Sequence, residues 1–197
     1  MSVAFFPNLN RMEDAQLWDE LRAGQKPALE KIYRQQVEAL FRYGRGLTHN
    51  EPLIEDAIQE LFIELWKRHN SLGPTDAIRP YLLVALRRKL VRMLQRKDQQ
   101  SVSWEDETPP EAAEEGAESG IIERESEAEE RAQLSGAMAS LSPRQQEILH
   151  LKYFQGLEYK DIAEVLGINY QSVRNTASAA LKALRKSLSL FFLLWFL

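Results

Sequence analysis

Apolar residues recur at intervals of three and four through most of this chain, and no stretch shows the strict alternation that a strand requires. Leu17, Trp18 and Leu21 form a short stripe that Gly24 ends. Pro27 suits the first turn of a second helix, whose apolar face carries Leu29, Ile32, Tyr33, Val37, Leu40 and Phe41. A third helix is better marked. Asn50 caps it, Pro52 sits in its first turn, and Ile54, Ala57, Ile58, Leu61, Phe62, Leu65 and Trp66 share one face, opposite Glu55, Asp56, Gln59 and Glu60. After the turn-like stretch from Asn70 to Asp76, a fourth helix begins near Pro80 and turns Leu82, Leu86, Leu90 and Leu94 inward.

The pattern resumes at Leu141. Ser142 is placed as an N-cap, Pro143 takes the first helical position, and Gln145 is spaced to close a capping box. That helix runs to about Gln155 and stops at Gly156. A short helix follows from Tyr159 to Leu166, burying Ile162, Ala163 and Leu166, and Gly167 permits a tight turn. Asn169 caps the next helix, with Ile168 and Val173 spaced as a hydrophobic staple across the cap. A small residue at 163, glycine four later and a β-branched residue six after that make the pattern of a helix-turn-helix. On its second helix Val173, Ala177, Ala180, Leu181 and Leu184 face inward. Tyr170, Gln171, Arg174, Asn175, Ser178 and Lys182 are left outward as candidate base and phosphate contacts. The plainer alternative is a three-helix protein-interaction module with a solvated face.

Charge divides the chain. Residues 79 to 97 hold seven Arg or Lys and no acid, whereas residues 101 to 130 hold twelve acids, one Arg and the pair Pro109 and Pro110. A segment so acidic and so poor in large apolar side chains cannot offset its ordering entropy by burial, which makes it a linker. The expected organisation is all-α: a domain over 1–98, an acidic linker over 99–133, a helix-turn-helix domain over 134–188 and an apolar tail over 189–197. Within the basic helix, Arg88, Arg92 and Arg96 repeat every four residues on one face, flanked by Arg87, Lys89 and Lys97. They suit tracking of backbone phosphates, with Tyr81 placed to stack on an unpaired base, although a solvated charge run or a core tyrosine gives the same letters. The tail, LSLFFLLWFL, is too short for a membrane span of about twenty residues. It either extends the last helix onto its own domain or offers an exposed apolar patch to a partner.

Composition removes several function classes. There is no cysteine, and three scattered histidines make no metal-site spacing. No glycine-rich phosphate loop and no nucleophile with a partnered base is present, so neither enzyme nor cofactor is expected. The N-terminus lacks a secretory pattern, which fits a cytoplasmic address. The net charge of −4 argues against a general DNA coat, but the local balance matters more than the sum.

The stretch Asp56-Ala-Ile-Gln59-Glu60-Leu-Phe62-Ile-Glu-Leu-Trp66 resembles the region 2.2 helix of the sigma-70 family. The basic helix after it is similar to regions 2.3 and 2.4, and Leu141 to Lys186 resembles region 4. Two such regions joined by an acidic linker are the layout of the extracytoplasmic-function group. The resemblance implies that Asp56, Gln59, Glu60, Phe62 and Trp66 meet the clamp helices of the largest subunit of core RNA polymerase. It implies that Tyr81, Arg87, Arg88, Lys89, Arg92, Arg96 and Lys97 serve the −10 element. The helix-turn-helix then reads the −35 element of promoter DNA and touches the polymerase flap. A membrane-linked anti-sigma factor is the implied regulator of a protein not itself transmembrane. Two weak DNA readers carried on one polymerase gain from effective concentration once the first engages. The chain departs from the family in having Tyr81-Leu82 and Leu86-Arg87-Arg88 where Trp-Leu and Ala-Arg-Asn are frequent, and Ala177, Ala179 and Ala180 where arginine is frequent. A one-component regulator and a protein-interaction adaptor are the rival readings. The first binds DNA without polymerase, and the second shows no salt-dependent DNA binding.

Overall fold

A computed structural model describes residues 7–100 and 136–195, with side chains from 11–96 and 136–187. All regular structure among these residues is helical. In chain order the helices are α1 (Pro7–Arg22), α2 (Lys26–Arg45), α3 (Glu51–Lys67), α4 (Ile78–Gln100), α5 (Pro143–Leu149), α6 (Tyr159–Leu166) and α7 (Tyr170–Trp195). A 3-10 turn, His69–Ser71, follows α3, and α5 continues into a π-helical turn, His150–Phe154. Most of the acidic linker and the side chains of the apolar tail lie outside the described residues.

The helix ends follow local chemistry. Asn50 accepts from Leu53 N at 3.0 Å and so caps α3. Helix α4 starts at Ile78, two residues before the start expected at Pro80, because Asp14 of α1 accepts from Ile78 N at 3.0 Å and supplies a cap from outside the helix. Ser142 and Gln145 form the complete capping box at the start of α5. Gly167 closes α6 in the left-handed conformation at φ 63°, and Ile168 N donates to Ala163 O at 3.1 Å across it. Asn169 accepts from Ser172 N at 2.7 Å to begin α7.

Helices α1 to α4 bury Trp18, Leu21, Ile32, Leu40, Ile54, Ile58, Leu82, Leu83, Leu86 and Leu90. Trp18 is fully enclosed and donates its indole N–H to Gly73 O at 2.8 Å, tying α1 to the loop before α4. The inward stripe of α4 differs in one respect from the 82, 86, 90, 94 spacing. Leu83 is buried and Leu94 is only half-covered, since a strict four-residue spacing drifts about 40° per step round a straight helix and leaves the bundle after Leu90. Helices α5 to α7 bury Ile148, Leu151, Ile162, Val165, Val173 and Ala177. These two sets of side chains belong to one continuous apolar cluster, because α6 packs directly on α4.

Candidate nucleic-acid interface

Helix α3 presents two chemically distinct faces. Asp56, Gln59, Glu60 and Ile63 are exposed, and Phe62 is buried edge-on against Tyr33 at 5.0 Å. Trp66 is half-buried and stacks on His69 at 4.9 Å. Phe62 and Trp66 therefore hold α3 against its surroundings, and the polar row is the part open to a partner.

The cations of α4 fall into two groups. Arg88, Arg92 and Arg96 are exposed, and among the described residues no carboxylate lies within ion-pair distance of any of them. They line one wall of a cleft of about 670 Å3 between the end of α3 and α4, together with Tyr81. Tyr81 is 39% exposed and meets Trp18 edge-to-face at 4.8 Å, so its ring is braced from behind and open in front. Lys89 and Arg87 are already engaged. Lys89 donates to Glu60 at 2.9 Å and to Glu64 at 2.8 Å. Partial burial opposes its charge, but the bonds to Glu64 and Glu60 outweigh that and hold its pKa above the ordinary lysine value. Arg87 makes a two-point contact with Glu147 of α5, and that bond raises its pKa further. The side chain of Lys97 lies outside the described residues.

On α7, Tyr170, Gln171, Arg174, Asn175, Ser178 and Lys182 are all exposed along one side. Arg174 lies over the Tyr170 ring at 5.8 Å, and Gln171 donates to Asn175 at 3.0 Å. Behind them Val173, Ala177 and Ala180 are buried, while Leu181 and Leu184 are partly covered. This face is polar but thinly charged, able to hydrogen-bond base edges and phosphates with few cations to draw duplex DNA in.

Sequence reasoning did not single out the residues joining the two halves. Glu147, with its side chain 11% exposed, accepts from Arg87, from Arg144 at 3.3 Å and from the Tyr43 hydroxyl at 2.9 Å. Burial and the neighbouring Glu147 carboxylate raise the Tyr43 pKa, keeping the phenol protonated as a donor. Gln155 is buried and donates to Ala39 O at 3.2 Å, and Arg79 donates to Gln155 O at 3.3 Å. Arg11 spans Asp76 and Asp161 at 3.2 and 3.4 Å. Apart from Arg144 with Glu147, each pair is 60 or more positions apart along the chain. The local signal available was only a helical stretch with one acid, Glu147, between Arg144 and Lys152.

Two family descriptions match this geometry: "Sigma-70 region 2" over residues 32–100 and "Sigma-70, region 4" over residues 131–184. The first covers α3, α4 and most of α2, and the second covers the helix-turn-helix. The chain belongs to the sigma-70 family, a family of transcription-initiation factors. Within that family it falls in the extracytoplasmic-function group. The ECF RNA polymerase sigma factor SigL of Mycobacterium tuberculosis is 25% identical over 175 residues, covering 84% of this chain and 92% of the relative. The ECF RNA polymerase sigma factor SigM of Bacillus subtilis is 25% identical over 159 residues, covering 79% and 94%. The fold is also that of CnrH, solved in complex with the cytosolic domain of CnrY, at TM-score 0.61 and 19% identity over 89% of this chain and 97% of that one. Among the described residues no helix is long and apolar enough to cross a membrane, and no cluster of His, Asp or Glu suited to a metal is present.

Proposed function

We propose that this protein is an alternative sigma factor that binds core RNA polymerase, recognises −35 and −10 promoter elements and directs initiation of transcription, acting in the cytoplasm and not as an enzyme. The outward row Asp56, Gln59 and Glu60 docks on the clamp helices of the polymerase, with Phe62 and Trp66 holding that helix in place. Arg88, Arg92, Arg96 and Tyr81 receive the separated −10 strand, and Arg87, Lys89 and Lys97 join them. Tyr170, Gln171, Arg174, Asn175, Ser178 and Lys182 meet the −35 duplex. The working division is 1–98 for core and −10 binding, 99–133 as linker and 134–188 for −35 binding. A membrane-linked anti-sigma factor is the proposed regulator; the sigma factor RpoE solved in complex with the anti-sigma factor NepR from Bartonella quintana supports the anti-sigma part of that reading.

One observation carries the reading. Arg88, Arg92 and Arg96, which have no carboxylate partner among the described residues, and the braced Tyr81 ring line the same cleft, whose opposite wall is the α3 helix that presents the acidic row. A phosphate backbone and an unstacked base fit such a cleft, and a sensor or dimerisation domain has no use for it. The test is transcription from promoter DNA with sigma-free core polymerase. Initiation depends on the protein, Asp56→Ala with Gln59→Ala loses core binding, and Arg88→Ala with Arg92→Ala loses promoter opening. Binding to DNA with no binding to core replaces this reading with a one-component regulator.

A further inference from the structure

The two DNA-reading halves of the chain are not independent bodies in this structure. Helix α6 of the helix-turn-helix lies on α4, and the apolar cluster runs through both without a break. At the edge of that contact sits Glu147. Its carboxylate is largely buried and takes donors from Arg87 of α4, Tyr43 of α2 and Arg144 of its own helix. Three charged or hydroxyl donors converging on one carboxylate make the geometry that a phosphate oxygen meets on a basic surface. The other polar links across the same seam are longer, among them Gln155 donating to Ala39 O at 3.2 Å. Arg79 reaches the Gln155 carbonyl at 3.3 Å, and Arg11 reaches Asp161 at 3.4 Å.

We propose that Glu147 is the clasp of a closed, self-occluding state, in which it occupies Arg87 as a DNA phosphate would and fastens the helix-turn-helix to the helix that reads the −10 strand. This rests on the sigma-factor reading above. Arg87 cannot serve both partners, since its guanidinium already makes a two-point contact at 2.9 and 3.4 Å with a carboxylate held in place by Tyr43. Strand binding through Arg87 and closure through Glu147 are therefore mutually exclusive, and the closed fraction lowers the apparent affinity of the free protein for DNA. Glu147 differs in kind from Glu60 and Glu64, which also pair with an α4 cation. Those two are more than half exposed and bind within the N-terminal half, so releasing them opens nothing.

The chain has no cysteine, so Glu38→Cys with Ala183→Cys, both at exposed positions, gives a unique pair for fluorescent distance labels. In this full-length background the separation of the labels is measured beside the affinity for a twelve-nucleotide single-stranded DNA at low salt. Glu147→Gln keeps the shape and removes the charge. It lengthens the label separation and tightens strand binding about tenfold, the scale of a lost charge-assisted bond. Arg87→Ala lengthens the separation with no gain in strand binding, because the cation itself is gone. Arg87→Glu with Glu147→Arg restores the short separation, which keeps the idea testable if a single variant is poorly folded. Wild-type separation in Glu147→Gln, or an opened protein with unchanged strand affinity, overturns the clasp. Failure of the unmutated protein to bind sigma-free core polymerase, with the label separations behaving as described, overturns the sigma reading and leaves the closed state standing.

Discussion

Lys89 reaches from α4 back to α3 and donates at once to Glu60 and Glu64, so a cation of the helix proposed to receive the −10 strand is neutralised by the acidic helix proposed to meet polymerase. The two carboxylates are 57% and 60% exposed, which limits the link to at most about 1 kcal/mol. Lys89→Ala is therefore expected to weaken binding of single-stranded DNA less than Arg92→Ala does. Glu60→Gln with Glu64→Gln is expected to strengthen it two- to threefold, roughly the free energy of one exposed pair. Fluorescence anisotropy of a labelled oligonucleotide reads both.

Arg88, Arg92 and Arg96 carry no carboxylate partner among the described residues, and the salt dependence of binding follows from that. Each that contacts a phosphate of a single strand contributes about 0.7 to the slope of log affinity against log salt. Alanine at any one of the three is expected to flatten the slope by about that amount, measured by titrating the same oligonucleotide over a range of salt. Slopes unchanged in all three variants would remove them from the strand path.

Gly44 sits inside α2, where alanine is ordinarily the better helix former by about 1 kcal/mol. Here a Cβ would lie 2.6 Å from Ile54 Cγ2, a distance at which the stiff, β-branched Ile54 side chain or its helix must shift. Overpacking of this kind costs about 1–3 kcal/mol, so Gly44→Ala is expected to lower the midpoint of thermal unfolding despite its propensity gain. Adding Gly44→Ala to an Ile54→Ala background, where the opposing methyls are gone, is expected to cost nothing further. Circular dichroism during heating separates the two outcomes.

His150 lies at the seam with its ring 5.3 Å from Phe154 and 6.2 Å from Tyr43. Burial, with the nearby Arg42 charge adding to it, lowers its pKa below the ordinary value of 6.5, and Glu147 opposes this without reversing it. A depressed folded pKa means the unfolded chain binds the proton more readily. The contribution to stability is therefore full above pH 6.5 and is lost as pH falls through the folded value. Asp14, whose burial raises its pKa, works in the opposite sense over lower pH. Urea midpoints of the protein minus those of His150→Phe, taken from pH 7.5 down to 5, isolate the histidine and are expected to converge as the pH drops.

The helices and their ends were legible because their signals are local. Asn50, Ser142 with Gln145, Gly167 and Asn169 each act within three or four positions of where they stand, and all are found in those roles. The start of α4 at Ile78 was not legible, because its cap is Asp14, 64 positions away. The outward residues of α7 could be named from periodicity alone, since a helix packed on one side must expose the other. Periodicity fails for Arg87. Helical spacing puts it beside Arg88, and nothing in the local letters reveals that a carboxylate 60 residues later will claim it. The same limit hid Tyr43 and Gln155, polar side chains whose partners exist only once the halves are packed.

The π turn at His150–Phe154 carries one more residue than an α-helical turn, closed by Gln155 N donating to His150 O at 3.1 Å. Around it Leu151 and Gln155 turn inward, while Tyr153 and Phe154 face water. Deleting any one residue between 150 and 154 would return the winding to 3.6 per turn and turn the point where the chain leaves this helix, at Gln155, by about 100°. Helix α6, which follows that exit, would then meet α4 in a different orientation. Length at this point works as a timing element, and a gap here is a heavier change than the substitution of any side chain it carries.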